Sequence, residues 1–142
     1  MKKTVTVVST ALLAMLLVGG AVAAGPSSLL NTTWTGVVTI VARSADGNVT
    51  LTPDNATLVF TGENGEFLAG TLDRTLDSTS VDFTCVRDGR SLHMTAKGYL
   101  MFGEIFMGHP VKRGARPPQN MLIQGNDLTE GNMFQGILKK QQ

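Results

Sequence analysis

Apolar and polar residues alternate most clearly in the stretch Val81–Ala96, VDFTCVRDGRSLHMTA. Successive side chains of a strand point to opposite faces, so alternation of this kind gives one apolar face and one polar face. The apolar face carries Val81, Phe83, Cys85, Leu92, Met94 and Ala96. Asp88-Gly89 lies between the two halves and favours a two-residue turn. The pattern predicts an antiparallel hairpin over a core, with Cys85 opposite Leu92.

Upstream of this hairpin, Trp34–Ala42 is rich in β-branched residues and predicts a first strand. The face of this strand that holds Trp34 is expected to point inward. Arg43–Asn55 is predicted to be a polar connection, within which Val49–Thr52 is an optional short strand.

A second hairpin is predicted around Glu63-Asn64-Gly65, between strands at Ala56–Gly62 and Glu66–Leu72. A turn of two residues and a turn of four give this hairpin the same alternation of side chains. In either case one face carries Leu58, Phe60, Phe67 and Ala69.

Gly98–Met107 is the most apolar stretch of the mature chain, and Glu104 is its one charged residue. Alternation places Glu104 on the same face as Phe102 and Phe106, so a regular strand either buries the carboxylate or exposes both phenylalanines. A bulge at Gly103 would remove the conflict by shifting the alternation. We favour the exposed face, which makes Phe102 and Phe106 part of a contact surface for another chain.

The spacing of turn residues predicts the fold class. No segment shows sustained helical periodicity, whereas Pro and Gly recur at intervals of about 8–12 residues, as in all-β domains. Closing a meander of short strands into a barrel removes both exposed edges. The prediction is a single all-β domain, an antiparallel up-and-down β-barrel of about eight strands, with a small β-sandwich as the alternative.

Residues 1–24 have the pattern of a secretory signal peptide. The basic pair Lys2-Lys3 precedes an apolar run, Val5–Val18, and the small residues of Ala21–Ala24 provide cleavage sites. The apolar run is shorter than the roughly 20 residues that a membrane span requires. We therefore expect an exported protein, periplasmic or secreted, whose mature domain covers residues 25–142 and has no transmembrane segment after signal cleavage.

Charge limits the classes of partner. Removing Lys2 and Lys3 from the 12 basic residues leaves ten against 11 acidic residues, a formal charge of −1. This balance excludes a strongly basic nucleic-acid-binding protein. Lys112, Arg113 and Arg116 nevertheless share one Pro- and Gly-rich loop. That loop is either an ordinary solvated connection or a contact for an anionic partner.

No catalytic or metal-binding pattern is visible. Cys85 is the single cysteine, so an internal disulfide is excluded, and its place on an apolar face predicts a buried hydrophobe. His93 and His109 are the two histidines, and neither has the spacing of a metal ligand. We expect no enzyme, no metal and no cofactor.

The opening of the mature chain, Leu29-Leu30-Asn31-Thr32-Thr33-Trp34-Thr35-Gly36, leads into a β-meander that ends at Phe134–Leu138. This arrangement resembles the calycin group, the lipocalin-like and avidin-like small barrels. In that group a tryptophan on the first strand closes the base of the barrel. Thr32 stands where the lipocalin opening has glycine. The resemblance implies an exported barrel with an apolar pocket and does not specify a ligand.

Two functions follow as hypotheses. The first is a non-enzymatic exported barrel that binds a small apolar or amphipathic ligand. Its lining residues would be Trp34, Phe60, Phe83, Met94 and Met101. The second is a protein-interaction or homodimerising module with a filled interior. Its contact patch would be Leu100, Phe102, Phe106, Lys112, Arg113 and Arg116. A cavity inside the barrel favours the first function, and a packed interior beside an outward apolar patch favours the second.

Overall fold

The computed structural model describes residues 27–76, 78–110, 112–114 and 116–142, so the predicted signal segment lies outside the described residues. The strands are β1 (Thr33–Arg43), β2 (Val49–Asn64), β3 (Phe67–Arg74), β4 (Thr79–Asp88), β5 (Ser91–Ala96), β6 (Tyr99–Met107), β7 (Gln119–Asp127) and β8 (Met133–Lys140). Each strand pairs antiparallel with the next, and β8 pairs with β1 to close the barrel. The predicted eight-stranded up-and-down barrel is confirmed, and the alternative sandwich is wrong.

The strands alternate in direction, so their connections lie at two ends of the barrel. One end, termed the base, carries the N-terminal segment 27–32, the turns 65–66 and 89–90, and the loop 108–118. The opposite end, termed the mouth, carries the connections 44–48, 75–78, 97–98 and 128–132.

The central hairpin has the predicted faces in a different register. β4 and β5 meet at the turn Gly89-Arg90, and Cys85 pairs with Met94, so the predicted pairing of Cys85 with Leu92 is wrong. Gly89 has a φ of 59°, which suits the first central position of a type II′ turn. A shift of two residues leaves every side chain on its predicted face. Phe83, Cys85, Leu92 and Met94 are buried as predicted, and Thr84, His93 and Thr95 are exposed.

β2 extends further than predicted, because Val49–Asn55 pairs with β1 throughout. The optional short strand at Val49–Thr52 is confirmed and continues into the rest of β2, whereas the predicted polar connection over residues 53–55 is wrong. Pro53 is tolerated here because β2 pairs with β3 only from Ala56 onward. Asn55 turns its carbonyl away from β1 to accept from the Thr75 amide. Residues two apart in a strand share this orientation, so the missing N–H of Pro53 also faces the unpaired edge.

A bulge near the end of β2 reverses the side-chain alternation. The register with β3 shifts between Phe60 and Gly62, which leaves Thr61 as an extra residue. Phe60 stays buried, but Phe67, predicted to share its face, points outward and is 67% exposed. Leu68 takes the inward position instead.

β6 is a regular strand with its phenylalanines outward. Its registers with β5 and β7 run without a shift through Gly103, so the alternative of a bulge there is wrong. Glu104 is exposed, which excludes a carboxylate inside the barrel. Phe102 and Phe106 lie half-buried on the outward side, as favoured from the sequence. Tyr99, Met101 and Ile105 are buried in their place.

Apolar side chains fill the interior. Edge-to-face ring pairs join Phe60 to Phe83, with centroids 5.5 Å apart, and Tyr99 to Phe134, at 6.3 Å. Inward glycines make room for rings: a Cβ on Gly125 would lie 2.4 Å from the Phe134 ring. The space left by the missing side chains of these glycines is therefore filled by aromatic rings of the core. Within the described residues, no helix has the length and apolar character to span a membrane.

Candidate interaction surfaces

The five predicted ligand-lining residues are all buried in the core of the barrel. Trp34, Phe60, Phe83, Met94 and Met101 belong to one cluster of buried apolar residues. Met94 lies between Cys85 and Met101 in neighbouring strands, and Phe60 packs against Phe83. A ligand reaching these side chains would have to displace close-packed neighbours, which protein interiors resist.

The N-terminal segment closes the base of the barrel over Trp34. Leu29 is buried in the core cluster. The Thr32 hydroxyl donates to the Leu29 carbonyl at 2.6 Å and accepts from the Trp34 indole Nε1–H at 3.0 Å. Thr32, the departure from the lipocalin opening, thus satisfies the one polar atom of the Trp34 side chain.

Glu63 and Arg87 hold this segment in place. The Glu63 carboxylate Oε2 accepts from the amides of Leu29 at 3.2 Å and Leu30 at 3.0 Å, and from the Ser28 hydroxyl. Arg87 Nη1 donates to the Ser27 carbonyl at 2.8 Å. The Ser28 hydroxyl, followed by the two amides and the Arg87 charge, keeps the pKa of Glu63 below its ordinary value despite partial desolvation.

A buried ion pair lies at the mouth. Arg74 Nε donates to Asp54 Oδ2 at 2.9 Å, and the two side chains are 6% and 0% exposed. Asp54 Oδ1 also accepts from the Leu76 amide at 2.8 Å and the Thr75 hydroxyl at 3.0 Å. Burial alone would raise the pKa of Asp54, but these donors and the Arg74 charge outweigh burial and lower it.

Beside this ion pair the mouth contains a cavity of about 240 Å³. Its walls combine apolar side chains, such as Ile40 and Phe134, with polar ones, such as Asp127 and Asn132. The Arg74 side chain lines the cavity, and its guanidinium lies 5.6 Å from the Phe134 ring centroid.

Three apolar residues and one histidine form a row across the outer face of four neighbouring strands. Phe67 of β3 pairs with Val86 of β4, Val86 pairs with His93 of β5, and His93 pairs with Phe102 of β6. The His93 and Phe102 rings make an edge-to-face contact with centroids 5.4 Å apart. These four residues are termed the outer stripe, and Phe67, at 67%, is the most exposed of its three hydrophobic members.

A depression of about 550 Å³ runs beside the outer stripe on its mouth side. Ala69, Thr84 and Thr95 succeed one another across β3, β4 and β5, and their small side chains form its floor. Asp82 and Lys97 stand at its edge. This depression is termed the outer trough.

Five cations lie at one side of the base. Lys112, Arg113 and Arg116 are exposed in the loop between β6 and β7, and Lys139-Lys140 ends the adjacent β8. Asn120, near the start of β7, pairs with Phe106 on one side and Lys139 on the other. The predicted patch therefore divides: Leu100 and Phe102 lie on the wall of the barrel, and the loop cations lie at its base. The five cations are termed the basal cation cluster.

The reactive residue types occupy unreactive places. Cys85 is buried, and desolvation raises the pKa of its thiol to about 11. His93 and His109 are both exposed. Among the described residues, no group of three or more His, Cys, Asp or Glu side chains is placed to hold a metal ion.

Phe67 was not predicted from the sequence to lie on the outer surface. Asp54 and Arg74 were also not predicted to form a buried ion pair at the mouth. Phe67 points outward because of the bulge at Thr61, for which the adjacent Gly62, a glycine within a strand, is the sequence signal that was not used. Asp54 falls in a segment whose polar composition resembled a connection. Its position immediately after Pro53 gave no sign that a buried partner would come from β3.

Comparison with known proteins identifies no relative. No family model matches this chain, and no curated protein and no solved structure matches it either. What the surfaces bind is therefore inferred from their own geometry.

Proposed function

We propose that this protein is an exported, non-catalytic β-barrel that pairs with a second copy of itself through the outer stripe and outer trough. A single observation carries the proposal: a protruding aromatic side chain, Phe67, stands beside a trough of small side chains on the same sheet face. A two-fold dimer buries the same patch on both subunits, so a surface with both a projection and a recess can complement itself.

The trough has room for the projection. The outer trough is a shallow depression of about 550 Å³ that is open to solvent, and its small side chains leave space for the Phe67 ring of a second copy. The reciprocal contact places the second trough over the first Phe67. Asp82 and Lys97 at the trough edge supply opposite charges that pair across a two-fold axis.

The extent of the surface indicates a reversible dimer. Four strands spaced about 4.8 Å apart cover about 400 Å² over some six residues of strand. Because eight strands close the barrel, four adjacent strands follow about half of its circumference, so the area that one copy presents to another is smaller than this. Standard interfaces bury about 800 Å² per partner. Affinity does not follow area alone, but this size favours a dissociation constant in the micromolar range.

We also propose that the barrel is calycin-like. This proposal is supported by the closed antiparallel barrel and by Trp34, which is buried at the base on the first strand. Export rests on the pattern of residues 1–24. A packed interior favours the interaction module over a carrier of large apolar ligands, because the interior positions are occupied by the protein's own side chains.

Sedimentation velocity over a concentration series tests the dimer. The mature wild type should shift from monomer to dimer between low micromolar and millimolar concentration. The double variant Phe67→Ser with Phe102→Ser should remain a folded monomer, since both substitutions shorten the outer stripe without touching the core.

The matched control is Val37→Ser with Ile137→Ser, two outward apolar residues of β1 and β8 that are 55% and 49% exposed. This control should dimerise like the wild type. A wild type that stays monomeric at millimolar concentration would overturn the proposal, as would a control that loses the dimer equally.

The mouth cavity favours a second candidate function, the binding of a small amphipathic molecule. At about 240 Å³ it falls below the roughly 300–1,000 Å³ of sites for drug-sized ligands. The candidate is therefore restricted to molecules smaller than a lipid, bound at the mouth rather than among Trp34 and Phe60. Native mass spectrometry separates the two functions, because a retained ligand adds its own mass.

A further inference from the structure

We infer that the basal cation cluster docks the barrel onto an anionic phospholipid surface. This surface is separate from the outer stripe, and the inference does not depend on the dimer. It rests on the distribution of charge between the two ends, on the exposure of four of the five cations, and on the apolar side chains beside them.

The two ends of the barrel carry opposite net charge. Among the described residues, the half nearer the base holds seven basic and four acidic residues: Arg87, Arg90, Lys112, Arg113, Arg116, Lys139 and Lys140 against Glu63, Glu66, Asp88 and Glu104. The half nearer the mouth holds three basic and six acidic residues: Arg43, Arg74 and Lys97 against Asp46, Asp54, Asp73, Asp82, Asp127 and Glu130. The field of such a molecule turns its base toward a negative surface and its mouth away.

The cations of the cluster are available for contact. Lys112, Arg113, Arg116 and Lys139 are exposed, and Lys140 is half-buried. The described ion pair joins Asp54 to Arg74 at the mouth, far from the cluster. Clusters of four to eight Lys and Arg residues at a membrane surface attract anionic lipids, by about fivefold in affinity for each cation.

Apolar side chains beside the cluster favour a bilayer over a soluble polyanion. Met107 ends β6 at the rim of the base and is 47% exposed, and Phe106 lies half-buried next to it. The cations occupy a loop and a neighbouring strand end, so they line a rim rather than a groove that would follow a chain. A rim of cations with apolar side chains suits the boundary between headgroups and acyl chains.

Vesicle co-flotation tests the inference with the mature protein. Vesicles that mix phosphatidylcholine with phosphatidylglycerol should bind the wild type, and vesicles of phosphatidylcholine alone should not. Raising the salt concentration should weaken binding, because screening shortens the range of the attraction. Lys112→Gln with Arg113→Gln should weaken binding roughly 30-fold.

The matched comparison removes one charge from each end: Lys112→Gln at the base should weaken binding about fivefold, whereas Arg43→Gln at the mouth should bind almost as tightly as the wild type. The monomeric variant Phe67→Ser with Phe102→Ser should also keep binding, which separates this surface from the dimer. Equal binding to both kinds of vesicle would overturn the inference. So would equal loss in the mouth control, or binding to heparin without binding to the mixed vesicles.

Discussion

Gly70 leaves no space for a side chain in the wall of the barrel. A Cβ there would lie 2.0 Å from the Val59 carbonyl oxygen and 2.6 Å from the Phe83 ring. Gly62, in the adjacent strand, differs: its Cβ would meet only the Ala69 Cβ, at an ordinary 3.5 Å. The two glycines test whether the interior is as closely fitted as the core contacts indicate.

Gly70→Ala should lower the free energy of unfolding by about 3 kcal/mol or more, because neither the backbone oxygen nor the packed ring can move away cheaply. Gly62→Ala should change it by less than about 1 kcal/mol. Urea denaturation of both variants gives the comparison. Similar losses in the two variants would contradict a closely fitted wall at Gly70.

Asp54 stabilises the mouth through its charge. Its pKa is lower in the folded state, so this stabilisation is complete above the unfolded value of 3.8 and is lost as pH falls through the folded pKa. Asp54→Ala should cost about 3–5 kcal/mol near neutral pH, because it removes a buried carboxylate that accepts from Arg74, Thr75 and Leu76.

The same variant should show a flatter loss of stability on acidification than the wild type. Glu104→Ala, which removes an exposed carboxylate outside the proposed interface, serves as the control and should change stability by less than about 0.5 kcal/mol. The free energy of unfolding, measured for each protein across the acid pH range, tests this difference. A wild type and an Asp54→Ala variant with parallel pH profiles would show that Asp54 is not titrating in this way.

At the scale of elements, the sequence predicted faces better than registers. Alternation alone assigns Phe83 and Met94 inward, and a slip of two residues at the Gly89 turn leaves that assignment unchanged. Alternation failed at Phe67, because the bulge at Thr61 inserts one residue and reverses every side chain beyond it. It also failed over residues 53–55, where pairing with β1 continues the strand through Pro53, Asp54 and Asn55.

The candidate surfaces, like the strand registers, were only partly predictable from the sequence. Phe102 and the loop cations followed from local composition, since an apolar strand and a basic loop are visible along the chain. The outer stripe was not, because it unites four strands whose neighbours depend on the registers. The closure of the base by Leu29 was also invisible, because it requires Glu63 and Arg87 to meet the N-terminal segment in space.

The N-terminal segment should behave as a structural part of the barrel. Leu29→Ala should lower the free energy of unfolding by about 2–5 kcal/mol, as expected for a fully buried leucine. Leu30→Ala, at a neighbouring residue that is 43% exposed, should cost less than about 0.5 kcal/mol. Thermal unfolding of the two variants checks this, and equal stability would mean that the segment does not seal the base.

At the scale of the whole molecule, packing and charge have separate roles. The interior is occupied by the chain's own rings and aliphatic side chains, which stabilise the fold, and both proposed recognition surfaces lie on the outside. The outer stripe and trough lie on the wall formed by β3 to β6, and the basal cation cluster lies at one end. Both surfaces can therefore be occupied together, which would place a dimer at a negatively charged surface.

Native mass spectrometry of the mature protein, purified without added ligand, tests the central claim most directly, because it reports stoichiometry and bound molecules together. A packed barrel that pairs through its outer wall predicts a dimer whose mass is twice that of the polypeptide, with a monomer population that grows on dilution. A monomer that carries a stoichiometric small molecule would contradict the account.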